Sequence, residues 1–256
     1  MTSGYNIAIR SYKRSGKVTA LKVFPDAKIW IPESQREEYA KEYGTDVLVV
    51  IPDNEDGNSP RKFNAILNRM ESDYQLIVDD DITGIYKFEG TEDPRPVYMQ
   101  PEDIRDLITR GFRMAEELGT PLWGINLNRD PVSYVTYKPF NFLSAILGPF
   151  SGHIRPSLRY DESTLSKDDY DFWLQNILKY RKTLRFNKYH YHHKHGVGTG
   201  GLASIRSIEY EERGAQRMRE KWGTRIFKRP TTAAGRHAGR HVNFLNSNIS
   251  MPIPGS

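Results

Sequence analysis

The sequence predicts an α/β fold with a Rossmann-like, mostly parallel central sheet flanked by helices. Apolar segments typical of strands alternate with helical patterns through the first half of the chain. Residues 47–51 are apolar throughout, which is typical of a strand buried on both faces. The 256 residues can form one substantial core, and no apolar run approaches the length that spans a bilayer. A soluble intracellular protein is therefore expected.

The first half is predicted to contain four strands, at 5–10, 27–32, 47–51 and 74–78. A short helix is expected near 18–24. Ser34 and Glu37 have the spacing of a capping box, which predicts a second helix that ends near Gly44. Ser59 and Pro60 begin a third helix, whose apolar residues recur at helical spacing.

The second half is less regular. Helices are predicted at 101–118, 168–180 and 204–222, and strands at 122–127, 143–148 and 183–189. Beyond Gly223 the composition indicates an extended tail and no second core.

Three consecutive carboxylates, Asp79, Asp80 and Asp81, follow the fourth predicted strand. Clustered carboxylates repel one another and are costly to desolvate unless a cation neutralises them. Mg²⁺ and Mn²⁺ favour such oxygens and leave coordination positions open for phosphates. Open α/β sheets bind ligands at the carboxyl ends of their strands, so the run predicts a metal–diphosphate site. An acidic loop that caps the next element is the alternative.

A second acidic cluster, Asp168, Asp169 and Asp171, opens the helix predicted at 168–180. Acids that merely complement the helix dipole are the alternative to a catalytic role. Four histidines lie within 190–195, before a glycine-rich segment. They are consistent with a metal ligand, with a separate transition-metal site, or with a polar surface strand.

In order and spacing, the loop 11–14, the helix with Asn64, the acidic run 79–81 and the pattern at 150–172 resemble the GT-A glycosyltransferases. The resemblance covers about 5–222. It implies a GT-A domain at 1–227, with a nucleotide-sugar half (1–85) and an acceptor half (86–227), followed by a basic tail at 228–256. It also implies a nucleotide-sugar-dependent hexosyltransferase with Mn²⁺ or Mg²⁺ and a UDP-sugar donor.

The resemblance assigns roles to single residues. The donor contacts are Ser11, Tyr12, Arg14, Asn64, Asp79 and Asp80. The metal ligands are Asp81, Asp79 and a late histidine, His195 ahead of His193. The general base of an inverting displacement is Asp169, with Asp168 and Asp171 as alternatives. The family's Arg-Asn pair is replaced by Phe63-Asn64, so Arg61 or Lys62 would have to contact phosphate instead.

Within this superfamily, segments 7–14, 27–31 and 77–82 resemble the TET/JBP-associated glycosyltransferase group of phages and kinetoplastids. This implies transfer of glucose from UDP-glucose to the hydroxymethyl group of a modified DNA base such as 5-hydroxymethylcytosine. A phage protein acting in the host cytoplasm is expected. A base within a duplex would have to be flipped out. Four aromatic residues could stack on it or belong to the core: Phe140, Phe142, Phe150 and Tyr160.

The charge distribution is compatible with a polyanionic partner. The formal net charge is +5, and no acid follows Glu220. The chain has no Cys, which excludes disulfides and Cys-based zinc sites. Two other functions compete: a GT-A enzyme that acts on a polysaccharide or protein, and a nucleic-acid-binding protein on a degenerate transferase fold.

Overall fold

The computed structural model describes residues 4–127, 131, 134–193, 207–237 and 240–249. A ten-stranded sheet forms the centre of this part of the chain. Its strands are β1 (Asn6–Arg10), β2 (Lys28–Pro32), β3 (Leu48–Ile51), β4 (Tyr74–Asp79), β5 (Ile82–Glu89), β6 (Arg95–Tyr98), β7 (Leu122–Asn126), β8 (Phe140–Asn141), β9 (Phe150–Ile154) and β10 (Leu184–His193). The helices are α1 (Ala20–Val23), α2 (Arg36–Tyr43), α3 (Ser59–Asn68), α4 (Pro101–Glu117), α5 (Asp168–Tyr180) and α6 (Ile208–Trp222). Strands β11 (Phe227–His237) and β12 (Arg240–Ile249) form a separate antiparallel ribbon. No helix in the described residues has the length and apolarity needed to cross a bilayer.

The strand order is β3-β2-β1-β4-β9-β7-β10-β5-β6, with β8 paired to β10. Strands β1 to β4 are mutually parallel, as the alternation of strands and helices predicts. Strand β9 enters antiparallel between β4 and β7, and β10 pairs parallel to β7. Strands β5 and β8 run antiparallel to β10. The predicted α/β class with a mostly parallel sheet is confirmed.

Alternate residues of the central strands face different helices. In β4, Leu76 and Val78 belong to the core cluster that includes α4, whereas Ile77 belongs to the cluster that includes α3. This is the two-residue period of a strand covered on both faces. Asn58 caps α3 by accepting a hydrogen bond from the backbone N–H of Arg61 at 2.9 Å, and Pro60 lies in the first turn.

Several sequence predictions need correction. Strand β3 is an edge strand and only half-buried along most of its length, because no further strand pairs beyond it. Residues 143–148 form a loop, and the neighbouring strand is β9. The Ser34 side chain caps no helix: a 3₁₀ turn over Glu33–Gln35 precedes α2. Strands β5 and β6 were not predicted.

The segment after Gly223 also differs from the expected tail. Residues 227–237 pair with 240–249 in the ribbon. Its first residue, Phe227, is fully buried in a small cluster shared with α5 and α6. The aromatic anchor fixes the start of a segment whose remaining composition is polar and basic.

The glycine of β9 has a packing role. A Cβ built on Gly152 would lie 2.0 Å from Nε1 of Trp123, and one built on Gly111 of α4 would lie 2.4 Å from the same indole ring. The fully buried Trp123 therefore fits only because both neighbours lack a side chain.

We expect Gly152→Ala to lower the free energy of unfolding by about 2–3 kcal/mol, because the added methyl overlaps a buried indole that has no room to move. Urea denaturation measures this change. Gly4→Ala is the matched control, since no heavy atom lies within 4 Å of a Cβ there. Equal stability of the two variants would contradict the packing described for Trp123.

Candidate active site

The acidic run lies at the carboxyl ends of β1 and β4. Asp79 is the last residue of β4 and pairs in register with Arg10, the last residue of β1. The Arg10 guanidinium donates to Oδ1 of Asp79 through Nη2 and to Oγ of Ser59 through Nη1 at 2.7 Å. It also lies 3.8 Å from the centre of the Phe63 ring. Arg10 is thus fixed between a strand and the start of α3.

A hydrogen-bond chain joins the two acidic clusters. Oγ of Ser59, which accepts from Arg10, donates to Oδ2 of Asp168 at 2.6 Å. The connection runs from Asp79 through Arg10 and Ser59 to Asp168. The clusters that the sequence places 89 positions apart therefore lie on the same edge of the sheet.

The loop 148–149 tightens this connection. The backbone N–H of Asp79 donates to the carbonyl of Pro149 at 3.1 Å. The backbone N–H of Gly148 lowers the pKa of Asp169 and so opposes the effect of burial, and a Cβ at Gly148 would lie 3.3 Å from Nη2 of Arg10. The loop 148–149 therefore lies between the end of β4 and the start of α5.

The three acids of the run differ in environment. Asp80 is buried and accepts from Oγ of Ser11 at 2.6 Å and Nη1 of Arg14 at 2.9 Å. Burial raises the pKa of Asp80 to about 6. The side chains of Asp79 and Asp81 are 30% and 18% exposed, so their carboxylates are the ones a cation in the cleft could reach.

Ser11 and Arg14 therefore hold the acidic run in place. Oγ of Ser11 also lies 2.6 Å from the Tyr39 hydroxyl, and Arg14 reaches Oδ2 of Asp81 at 3.2 Å. Tyr12 is half-buried, with the ammonium of Lys62 5.6 Å from its ring centre. The loop 11–14 lies beside the acids.

The helix α3 offers no free cation to a phosphate. Lys62 is buried, pairs with Asp56 at 2.7 Å and donates to the Ser11 carbonyl. Arg61 pairs with Glu162 at 3.1 Å. Asn64 donates to the Tyr160 carbonyl at 3.0 Å and accepts from the Tyr160 N–H at 2.9 Å. These two hydrogen bonds give Asn64 a structural role between α3 and Tyr160.

The opening of α5 separates the three base candidates. Asp171 is fully buried and accepts from Nε1 of Trp222 at 2.7 Å and from Lys221 at 2.9 Å, so it stabilises the packing of α6. Asp168 is buried and bonded to Ser59. Asp169 is half-buried, and its carboxylate accepts the backbone N–H of Tyr170 at 2.8 Å. Burial raises the pKa of both Asp168 and Asp169.

Tyr191 of β10 is a residue that sequence analysis missed. It is buried, and its hydroxyl finds no hydrogen-bond partner among the described residues. Burial raises its pKa well above the usual value, and the charges of Asp79, Asp169 and Asp81 raise it further. These interactions place the phenol within the field of both acidic clusters.

The late histidines are only partly described. His195 and the glycine-rich segment after it lie outside the described residues. His193 ends β10, pairs in register with Ile82 and packs edge-on against Tyr191 with ring centres 5.4 Å apart. The backbone of His193 therefore lies beside Ile82, the residue that follows Asp81 in the chain. The described residues include no group of three or more His, Cys, Asp or Glu that could hold a metal.

The segment 150–155 forms β9, which starts at the acidic edge, where Phe150 pairs in register with Val78. Because β9 is antiparallel to β4, Arg155 lies at the opposite edge, paired with Asp73 at 2.9 Å. Phe150 and Tyr160 are core residues. Phe140 and Phe142 are exposed and remain available for stacking.

His153 of β9 is fully buried among three aromatic rings, and its Nε2 lies 3.0 Å from Oγ of Ser151. Burial, together with the charge of Arg10, lowers its pKa to about 3. A lowered folded-state pKa gives stability that is present above the unfolded pKa of about 6.5 and is lost as the pH falls.

We therefore expect the native protein to lose about 2 kcal/mol of unfolding free energy between pH 7.5 and 5.0, relative to His153→Gln. Because both proteins contain the same acids, the contribution of those acids to the pH dependence cancels in the comparison. Chemical denaturation at the two pH values measures it, and ¹⁵N chemical shifts of the imidazole check it without a variant. An imidazole that titrates near pH 6.5 in the folded protein would contradict the burial of His153.

A cavity of about 740 Å³ opens at the other end of the strands. Residues at the starts of β1, β2 and β4 line it, together with α4. It lies away from the acidic clusters, and ligands of open α/β sheets bind at the carboxyl ends of strands. We place the candidate site at the acidic edge for this reason.

No family model and no curated protein matches the sequence. Several solved structures are similar to the structure of this chain. Glucosyl-3-phosphoglycerate synthase from Mycobacterium tuberculosis, in complex with Mg²⁺ and UDP, is 9% identical over 96% of this chain and 88% of that chain, with a TM-score of 0.51. The same enzyme with Mn²⁺, UDP and glucosyl-3-phosphoglycerate is 10% identical over 98% and 90%, with a TM-score of 0.50.

This chain has a GT-A glycosyltransferase fold. A mannosyltransferase from Pyrobaculum calidifontis, in complex with GDP-Man and Mn²⁺, is 10% identical over 72% of this chain and 54% of that one, with a TM-score of 0.46. At these identities the likeness establishes the GT-A fold alone. A fold of this kind does not by itself determine the reaction, which depends on the residues of the site.

Proposed function

We propose that the protein is a metal-dependent glycosyltransferase that uses a nucleotide-sugar donor. The chain of contacts from Asp79 through Arg10 and Ser59 to Asp168 carries this proposal. It sets the two acidic clusters on one edge of a GT-A sheet. An inverting transferase needs both clusters near one sugar carbon, because the acceptor hydroxyl attacks that carbon from the side opposite the departing diphosphate.

The donor half is built on Asp79 and Asp81. Their partly exposed carboxylates suit a hard divalent cation, and His193 or His195 would complete the set of ligands. A bound Mn²⁺ or Mg²⁺ would neutralise the diphosphate as it departs. Arg14 would be released from Asp81 to meet the phosphates, while Asp80 stays bonded to Ser11.

The acceptor half is built on Asp169. Its carboxylate takes the proton of the acceptor hydroxyl as the new bond forms between that oxygen and the sugar carbon. The bond from the same carbon to the diphosphate breaks, which inverts the configuration. A carboxylate whose pKa is raised by burial is better suited to accept a proton near neutral pH.

We propose a hydroxymethylated base of DNA, such as 5-hydroxymethylcytosine, as the acceptor. The resemblance of segments 7–14, 27–31 and 77–82 to the TET/JBP-associated group supports this choice. The acid-free residues after Glu220 and the exposed rings of Phe140 and Phe142 are compatible with DNA and with a flipped base.

The test is incubation of the protein with UDP-glucose, Mn²⁺ and duplex DNA that contains 5-hydroxymethylcytosine. We expect mass spectrometry to show the mass of one hexose added to the modified base, and none added to cytosine. A panel of nucleotide sugars identifies the donor. Donor turnover without any DNA product would reject the DNA acceptor and favour a polysaccharide or protein.

The unpartnered phenol of Tyr191 fits a hydrogen bond to the transferred sugar. We expect Tyr191→Phe to lower kcat/KM by about tenfold, the effect of one lost hydrogen bond, with the fold unchanged. Steady-state kinetics measure the loss. Tyr137→Phe is the control, since that side chain is 80% exposed. Equal kcat/KM in the two variants would remove Tyr191 from the site.

A further inference from the structure

The ribbon of β11 and β12 concentrates positive charge. In the register of its strands, Arg236 lies opposite His241 and His237 lies opposite Arg240. The chain contains no Asp or Glu after Glu220. The register therefore places two arginines, Arg236 and Arg240, at the end of the ribbon farthest from Phe227, and the sequence of the ribbon contains no acid to offset their charge.

The other end of the ribbon is fixed to the helix that carries the proposed base. Phe227 is fully buried, in one cluster with Trp173, Leu174 and Ile177 of α5 and with Met218 of α6. Helix α5 begins with the acidic cluster at Asp168. An aromatic anchor in a packed cluster therefore ties the start of the ribbon to the acceptor side of the site.

A two-stranded ribbon of this kind fits into the major groove of DNA. Its strands have 11 and 10 residues, which at about 3.3 Å per residue gives a length of roughly 35 Å. The major groove of B-DNA is about 12 Å wide and admits a two-stranded antiparallel ribbon. The major groove of A-form RNA is too narrow for one.

We propose that the ribbon of β11 and β12 lies in the major groove of duplex DNA, with Arg236 and Arg240 contacting phosphates. It would hold the duplex while a base is presented at Asp169. This inference rests on the proposed DNA acceptor and adds the surface that binds the duplex, the groove it enters and the residues that neutralise the backbone.

The test compares two double variants that remove the same charge. Arg236→Ala/Arg240→Ala changes the ribbon, and Arg105→Ala/Arg113→Ala removes two exposed arginines of α4. Fluorescence anisotropy measures binding of unmodified duplex DNA across a range of salt concentrations. We expect the ribbon variant to bind about tenfold more weakly, with a slope of log K against log salt smaller by about 2. The α4 variant should match the native protein.

Equal affinities of the two variants would overturn the ribbon as the DNA-binding surface. Duplex RNA of the same sequence is the second probe, and an equal loss of RNA and DNA binding in the ribbon variant would overturn its placement in the groove. Metal-dependent hydrolysis of UDP-glucose reports on the donor site without DNA. Native hydrolysis in a ribbon variant that no longer binds DNA supports the proposal. Absence of hydrolysis in the native protein would count against the proposed function and leave the DNA-binding result to stand alone.

Discussion

Asp169→Asn is expected to lower the rate of sugar transfer by about 10³-fold while leaving UDP binding unchanged. The amide has nearly the shape of the carboxylate but cannot accept the proton of the acceptor hydroxyl, and general base catalysis contributes about 10²–10⁴-fold. The Asp169 carboxylate is half-buried at the start of α5 and accepts the backbone N–H of Tyr170 at 2.8 Å. Transfer kinetics and isothermal titration with UDP and Mn²⁺ measure the two effects separately.

The control for this variant addresses the alternative that Asp169 only complements a helix dipole. Asp103 lies in the first turn of α4, as Asp169 does in α5. A dipole effect is worth about 0.3–1 kcal/mol of stability in either helix. Asp103→Asn should therefore show a small change in stability and native transfer. If Asp169→Asn behaved in the same way, the base would have to be assigned to another residue.

Asp81→Ala is expected to abolish metal-dependent binding of UDP, with a loss of affinity of at least about 100-fold. Removal of a carboxylate ligand weakens the binding of a hard cation. Without the cation, the remaining acids repel the diphosphate. The fold should survive, because Asp80 keeps its bonds to Ser11 and Arg14. Titration of UDP with and without Mn²⁺ measures the effect.

Asp93→Ala is the control for this loss, because Asp93 is 73% exposed and pairs only with Arg95 among the ion pairs described. Unfolding midpoints show whether either variant is destabilised. Native UDP affinity and native Mn²⁺ dependence in Asp81→Ala would contradict the assignment of the acidic run to the donor.

The sequence predicted the parts of the fold that depend on local pattern. Strands β1, β2 and β4 and helices α3, α4 and α5 lie within one or two residues of their predicted positions, because their apolar periodicity and caps are encoded within each segment. Because β1 to β4 are parallel, the sequence also predicted the edge of the sheet at which Asp79 to Asp81 lie. Strand β9 was not predicted, because glycine is depleted in strands and the residue that requires Gly152, Trp123, is distant in the sequence.

The candidate site was predicted only in outline. Residue types and order placed the two acidic clusters, but their connection passes through Arg10 and Ser59, whose side chains meet only when β1, α3 and α5 are packed. Tyr191 was missed for a similar reason, because an unpartnered buried hydroxyl is visible only in three dimensions. Asn64 shows the converse: its position in the family pattern was recognisable, and its contacts with Tyr160 were not.

The central claim is that Asp79 and Asp81 hold the donor's metal on the same cleft that Asp169 faces. A crystal structure of the protein with UDP and Mn²⁺ tests it most directly. We predict that the carboxylates of Asp81 and Asp79 would hold the metal ion beside the diphosphate of UDP, with the Asp169 carboxylate across the space left for the sugar. UDP bound in the 740 Å³ cavity at the amino ends of the strands, with the acidic run still paired to Arg10 and Arg14, would contradict it.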